Sequence, residues 1–561
     1  MRGRVRGEAR WCPPSECPMM TADHAHATAA NRGQLPLLAA LSRPECYPHP
    51  VAGVRVLETH ISWVLLTGTW AYKIKKPLNL GFLDFSTPEL RRRFCEEELR
   101  LNRRLAPQLY DAVVEIRGTP ESPRIEGTGP VFEYAVKMRE FPQDALASRL
   151  LAADRLSPRQ IEQLAATIAA FHGSAAVAEA GGAFGSPRTV LAPALQNFEQ
   201  LLPLLATPGD RTVLAALREW TEREHRARGA LFEERREAGA VRECHGDLHL
   251  GNIVLIDGKL TPFDCIEFNP DLRWIDVMNE AAFLVMDLTD RRRPDLAFRF
   301  LNAYLELTAD YGGLGILRFY LVYRAIVRAK VHCIRASQPG VLSAERTRLL
   351  AAGRDYLGLA QHFTRGARAA IVITHGLSGS GKTVISQSVA PDLGAIRIRS
   401  DVERKRLCGI DLLARSGSNV ETGIYTQELT RATYERLVQL ARMVTGAGYP
   451  AIVDGAFLRR WQRDLFRGLA GELGVPFAIL DVCAPEPVLR TRLTQRASSA
   501  GDASEADQAV LTHQISTHEP IADDEAREAV RVDSGLSGSD AAAERACHAL
   551  ARWLGYQAGG R

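Results

Sequence analysis

The chain has 561 residues, 46% of them hydrophobic and 24% charged, with a formal net charge of +4 at pH 7. That length exceeds a single hydrophobic core and predicts two to four domains. So small a charge, with no compact basic block among the dispersed arginines, excludes a general nucleic-acid or membrane surface.

Of 70 basic residues only eight are lysines, so each lysine marks a place where a compact ammonium serves and a guanidinium does not. No run of 18 apolar residues is free of charge. Residues 317–334 come nearest, and they carry Arg318, Arg324, Arg328 and Lys330, which predicts a helix of a soluble protein. Ten cysteines without repeated CxxC spacing suit reduced thiols, and a cytoplasmic location is expected.

Residues 1–33 have no apolar period and predict a disordered tail, with Met19 or Met20 as an alternative start. Cys12, Cys17, His24 and His26 offer metal ligands there, but the tail composition favours disorder. Short β-branched and aromatic runs then predict strands at 54–58, 62–67 and 70–75. A helix over 88–105 follows, with Phe94, Leu101 and Leu105 on one face. Further strands are expected at 113–116 and 131–140, helices over 159–237, a hairpin region at 245–268, and helices to about 363. Strands followed by a helix-rich half is the order of a bilobal, protein-kinase-like α+β fold over 40–363. After a linker at 364–368, strands (371–374, 395–398, 451–453, 477–482) alternate with helices. That pattern predicts an α/β P-loop domain with a parallel sheet over 369–556. Residues 498–507 read as a loop.

In the first half, His245-Gly-Asp247-Leu-His-Leu-Gly-Asn252 sets an Asp five residues before an Asn. That spacing suits a carboxylate that takes a hydroxyl proton and an amide oxygen that binds Mg²⁺. Asp257-Gly258 between two apolar runs predicts a type I′ hairpin. Pairing outward from that turn sets Asn252 opposite Phe263 and Gly251 opposite Asp264, so Asp264 returns beside Asn252, where both can share the metal. Lys73 and Lys75 share one strand face. Lys73, which follows Ala71-Tyr72, is the favoured phosphate ligand. Its ion-pair partner is expected in Glu96-Glu97-Glu98, and Glu97, four before Leu101 and eight before Leu105, is chosen over Glu98.

In the second half, Gly376-Leu377-Ser378-Gly379-Ser380-Gly381-Lys382-Thr383 follows an apolar strand. Its glycines let backbone N–H groups surround phosphate oxygens, with Lys382 on the β- and γ-phosphates and Thr383 on Mg²⁺. Asp454, ending a strand, is a second metal candidate. Asp401, at another strand end, either orients an acceptor hydroxyl or caps a helix. Arg492 and Arg496, four apart, either clamp a transferring phosphate or form a solvated face.

The His245–Asn252 and Asp264 set, with Lys73, resembles the aminoglycoside phosphotransferase and choline kinase group over 40–360. That resemblance implies a hinge at 131–141 meeting adenine, and Asp276 bracing the catalytic loop. The glycine loop of kinases is absent, and Thr59-His60-Ile61-Ser62 stands in its place. The Gly376–Thr383 loop, Ser400-Asp401-x-x-Arg404-Lys405, Val453-Asp454-Gly455 and the Arg492/Arg496 pair resemble small-molecule P-loop kinases of the adenylate and gluconate kinase type. There the arginine segment is implied to be a lid over ATP. The whole chain resembles a bacterial fusion family joining the two. The implied activity is ATP-dependent phosphotransfer from two nucleotide-binding modules to hydroxyls of small-molecule acceptors, with Mg²⁺ and no nucleic-acid or membrane partner. The alternative is a nucleotide-gated regulator whose first module only senses ATP. Glu267, Asp271 and Asp276 either suit a cationic acceptor or have structural uses.

Overall fold

The computed structural model describes residues 34–79, 83–338, 340–366, 368–411, 414, 426–497, 506–535 and 539–555. The 1–33 tail, with Cys12, Cys17, His24 and His26, lies outside the described residues, as does most of 498–507. The described residues form two compact units, one from those up to 287 together with 320–361, the other from 288–319 together with those from 362 onward.

The first unit begins with strands β1 (Arg55–Glu58), β2 (Ser62–Leu66), β3 (Trp70–Lys75), β4 (Tyr110–Thr119), β5 (Ser122–Ile125) and β6 (Val131–Arg139). They form one antiparallel sheet in the order β1-β2-β3-β6-β4-β5. Side chains alternate faces along a strand. Leu65, Tyr72, Ile74, Val114 and Ala135 therefore build one core, while Leu66, Ala71, Val136 and Met138 join Cys95 and Val254 on the other side.

The Pro88–Asn102 helix starts at Thr87, whose hydroxyl accepts the Leu90 N–H, with Pro88 in the first turn, where its missing N–H is harmless. It ends at Asn102, three residues short of the expected boundary. Its buried positions are Arg91, Cys95, Glu98, Leu101 and Asn102, so the inward stripe runs through Glu98 and not through Glu97.

Beyond the helices from Pro158 to Glu237, β7 (Val241–Glu243) leads into residues 245–252. Strands β8 (Ile253–Ile256) and β9 (Lys259–Pro262) form the expected hairpin, and β10 (Trp274–Asp276) pairs with β7. Asp257 and Gly258 have φ of +49° and +77°, the left-handed pair a type I′ turn requires. The helices Leu314–Ser337 and Ser343–Thr364 close the helical half.

The second unit holds a parallel sheet, β12-β13-β11-β14-β15, made by β11 (Ile371–His375), β12 (Ile396–Arg399), β13 (Ala451–Asp454), β14 (Phe477–Cys483) and β15 (Ala529–Asp533). β11 is buried along its whole length, as a strand covered on both faces must be. The last strand, β15, was not expected. The Pro294–Thr308 helix belongs to this unit. Its Asn302 amide donates to the Ala395 carbonyl at 2.9 Å and accepts the Arg397 N–H at 2.6 Å, so it pairs with the backbone of edge strand β12.

Candidate active sites

The β8/β9 hairpin sets the first site. Ile253 pairs with Pro262, and the next step outward is a Phe263 N–H to Asn252 carbonyl bond of 2.9 Å. Asp264 therefore follows beside Asn252, as the register argument requires. Asn252 also donates its amide to Asp247 Oδ2 at 2.9 Å and to the Asp247 carbonyl at 3.1 Å. His249 Nε2 lies 3.5 Å from the same carboxylate oxygen. Burial would raise the Asp247 carboxyl, but the neighbouring His249, Arg328 and His245 outweigh it and hold the group well below the usual carboxylate range. His245 is fully buried and bridges Phe263 carbonyl (2.9 Å) and the Asp247 N–H (3.3 Å), which fixes the loop from within.

Lys73 Nζ lies 2.8 Å from Glu98 Oε1 and pairs also with Asp264. Burial works to lower the Lys73 pKa, but Asp264 and Glu98 carry it well above its ordinary value, so the ammonium stays charged. Lys75 reaches Glu98 Oε2 at 2.7 Å and pairs with Glu267. The ion-pair partner is thus Glu98, and the choice of Glu97 is corrected. Glu97 faces outward to Arg100 and to Arg273, at 2.7 and 2.8 Å. The count from Leu101 and Leu105 misplaced the stripe because Leu105 lies beyond the end of the helix.

Asp264 itself has φ of +66°, a left-handed conformation costing a non-glycine residue about 1–2 kcal/mol. Its N–H donates to the Tyr110 hydroxyl at 3.1 Å and the next N–H, of Cys265, to Asn102 Oδ1 at 2.9 Å. These bonds hold the carboxylate where Lys73 meets it.

Two supports escaped the sequence reading. Glu280 is fully buried and accepts the N–H groups of His245 (3.0 Å) and Gly246 (2.7 Å) and meets His172 Nε2 at 3.1 Å. Asp287 accepts the Leu250 N–H at 2.8 Å. Asp276, expected to brace the loop, instead holds Arg235 through two 2.8 Å bonds. The bracing carboxylate therefore lies one helical turn further on. His172, Cys244 and Glu280 cluster tightly enough for a metal, but the His172–Glu280 bond and the two loop N–H groups already account for the carboxylate.

In the second unit Gly376, Gly379 and Gly381 have φ of +138°, +83° and +91°. A Cβ on Gly376 would stand 2.2 Å from the Val482 carbonyl, and one on Gly379 2.8 Å from that of Leu489, so only glycine fits these turns. Lys382 Nζ donates to the carbonyls of Gly376 and Leu377, both at 2.8 Å. Leu377, Ser378 and Ser380 complete the loop, and the Ser378 N–H is held by Gln514 at 2.8 Å. Thr383 opens the Lys382–Asp392 helix. One turn on, Ser386 donates to Asp454 Oδ2 at 3.1 Å, and Arg397 lies 3.9 Å from the same oxygen. Asp401 sits in the first turn of the Ser400–Leu407 helix. Arg492 is anchored on the Gly379 carbonyl (3.3 Å) and on Ser534, whose hydroxyl and carbonyl lie 2.9 and 2.8 Å away. The side chain of Arg496 lies outside the described residues. His375, just before the loop, is held by Asp481 at 2.8 Å and was not foreseen. No helix among the described residues is long and apolar enough to cross a membrane. An open cleft of about 730 Å³ between Arg139–Pro142 and Leu255–Asp257 is lined by Tyr110 but by none of Lys73, Glu98, Asp247, Asn252 and Asp264.

The sequence model of the phosphotransferase enzyme family matches residues 82–317 and that of an AAA domain matches 371–521. Solved structures similar to parts of the chain include amicoumacin kinase hAmiN (16% identity, 58% of this chain and 92% of that one, TM-score 0.36). Another is a gluconokinase from Sinorhizobium meliloti 1021 (23% identity, 33% and 94%, TM-score 0.24). Uncharacterized protein Rv2004c of Mycobacterium tuberculosis and uncharacterized protein Mb2027c of Mycobacterium bovis are each 30% identical over 463 residues, 82% of this chain and 90% of theirs. The chain belongs to the family of these mycobacterial proteins, a bacterial fusion of an aminoglycoside phosphotransferase- and choline kinase-like domain with a C-terminal P-loop kinase-like domain.

Proposed function

We propose that both units transfer the γ-phosphoryl group of ATP to hydroxyl groups of small molecules. The observation that carries this reading is the convergence in the first unit of Asp247, Asn252 and Asp264 with the Lys73–Glu98 pair. Asp247, kept ionised by its neighbours, takes the acceptor hydroxyl proton. The acceptor oxygen forms the new P–O bond as the β–γ bridge breaks, and ADP leaves with the electron pair. Asn252 and Asp264 offer hard oxygen ligands on adjacent positions and fit Mg²⁺, which when bound neutralises charge on the β- and γ-phosphates. Lys73, positioned by Glu98, holds phosphate. The half-buried Leu57, Val64, Phe141, Ile256 and Phe263 provide apolar walls suited to a purine ring.

In the second unit, the backbone of residues 376–383 surrounds phosphate. Lys382 exchanges two neutral carbonyls for anionic oxygens, a pairing roughly twice as strong. Thr383 and Asp454 would hold the metal, Arg492 keeps the loop in shape, and Asp401 orients the acceptor. The test is to make Asp247→Asn and Lys382→Ala separately and follow ATP consumption with a library of sugars, amino alcohols, nucleosides and hydroxy acids. Each change should abolish a distinct acceptor-dependent turnover. If Asp247→Asn leaves every turnover intact, the first unit is no phosphotransferase.

A further inference from the structure

Two of the three acids open to a cationic acceptor are engaged, Glu267 with Lys75 and Asp276 with Arg235, while Asp271 is exposed in the Pro270–Leu272 turn. Polar groups of the opposite character also lie beside the catalytic loop. Arg324, Arg328 and His332 lie at four-residue intervals on one face of the Leu314–Ser337 helix. Arg324 donates to the Gly246 carbonyl at 3.0 Å and to Asn279 Oδ1 at 2.7 Å, which docks this face on the residue preceding Asp247. Arg328, one turn or about 6 Å further along, is 6% exposed. Its guanidinium lies 5.7 Å from the Tyr356 ring centre, and its Nε has no hydrogen-bond partner. Among the described residues, no carboxylate forms an ion pair with it.

His332 is 3% exposed and stacks on Tyr356 with ring centres 5.5 Å apart. Both of its ring nitrogens lack partners. Burial first, then Arg328, Arg335 and His60, push its pKa down to about 3, so the imidazole is neutral. A neutral imidazole with two orphaned nitrogens presents one donor and one acceptor, the complement of a hydroxyl. The other charges facing this region are matched: Arg335 with Glu345 at 3.0 Å, Lys76 with Glu58 at 2.6 Å, and Asp287 with the Leu250 N–H. Arg328 is steadied by Tyr356 and by the more distant charges of Asp287 and Asp247, but among the described residues no carboxylate sits against its guanidinium, and a bound anion supplies that contact.

We propose that the acceptor of the first unit is an anionic hydroxy compound, its carboxylate or phosphate seated on Arg328 and a hydroxyl on His332, with the reacting hydroxyl toward Asp247. This rests on the phosphotransfer reading for its catalytic consequence but not for binding. The test uses the full chain carrying Lys382→Ala, with ATP, Mg²⁺ and four acceptor panels: hydroxycarboxylates, phosphorylated polyols, neutral polyols and amino alcohols. Turnover is expected with the first or second panel, which also separates carboxylate from phosphate as the anion. Arg328→Met should raise the KM for that acceptor at least tenfold with the KM for ATP unchanged, and Arg328→Lys should restore part of it.

In parallel, calorimetry on Asp247→Asn with a non-hydrolysable ATP analogue measures binding of the same compounds. Binding of anions that is lost in Arg328→Met, without turnover of any panel, keeps this assignment and removes the phosphotransfer reading. Turnover confined to neutral or amino acceptors, an unchanged KM in folded Arg328→Met, or no anion binding at all overturns it, the orphaned atoms then holding water.

Discussion

Replacing Glu98 by glutamine tests the placement of the buried ion-pair cluster. The side chain is fully buried and accepts from two ammonium groups, Lys73 at 2.8 Å and Lys75 at 2.7 Å. A hydrogen bond to a charged group contributes about 1.5–3 kcal/mol. Asp264 and Glu267 remain to hold the two lysines, so the lower end of the combined value applies, about 3 kcal/mol. Linkage gives the same size. Burial works to raise the Glu98 pKa, but Lys73 and Lys75 bring it from 4.5 down to about 2, and that fall corresponds to about 3 kcal/mol. Because the folded-state value is the lower one, this contribution is fully present above pH 4.5 and is lost as pH falls toward 2. Urea unfolding of wild type and Glu98→Gln, monitored on the first unit, should show that gap at pH 7, thermal unfolding should show it as roughly 5–10 °C in Tm, and the gap should narrow below pH 4.5. Turnover by the first unit should fall at least a hundredfold, since Lys73 is then drawn to Asp264 alone. Glu97→Gln, on the outward face, should change stability by about 1 kcal/mol or less. The reasoning fails if Glu97→Gln is the more damaging of the two, or if the stability gap is independent of pH.

Asp264→Gly removes the proposed metal ligand and an ion pair but relieves a left-handed residue. It should abolish turnover while urea unfolding stays within about 1 kcal/mol of wild type. Glu280→Ala leaves the His245 and Gly246 N–H groups buried without that acceptor, and should cost on the order of 3–5 kcal/mol by the same measurement. Gly379→Ala forces a Cβ to 2.8 Å from the Leu489 carbonyl, and calorimetry with an ATP analogue should show the second unit's nucleotide affinity reduced at least tenfold while the first unit still binds.

The features legible in the sequence are those set by short-range rules. An Asp-Gly turn between two apolar runs fixes a register, and that register carries Asn252 and Asp264 together with no distant information. The glycine spacing of the 376–383 loop is local in the same way. Glu98 was missed by one position, because choosing a helical stripe requires knowing that the helix stops at Asn102. Glu280 and Asp287 were missed because their partners lie 34–37 residues away along the chain, and nothing local distinguishes a bracing carboxylate from one on a helix surface. β15 was missed because Ala529–Asp533 is half exposed and carries charges, as befits the edge of a sheet.

The pairing of Asn302 with edge strand β12 bears on how the protein can be dissected. A fragment beginning after residue 368 carries the nucleotide loop and the sheet, yet it leaves behind the Pro294–Thr308 helix, exposing the backbone groups of Ala395 and Arg397. Such a raw strand margin invites self-association. The genetic order of the two halves is therefore not their physical order, and expressing the second half alone tests a protein with a missing piece.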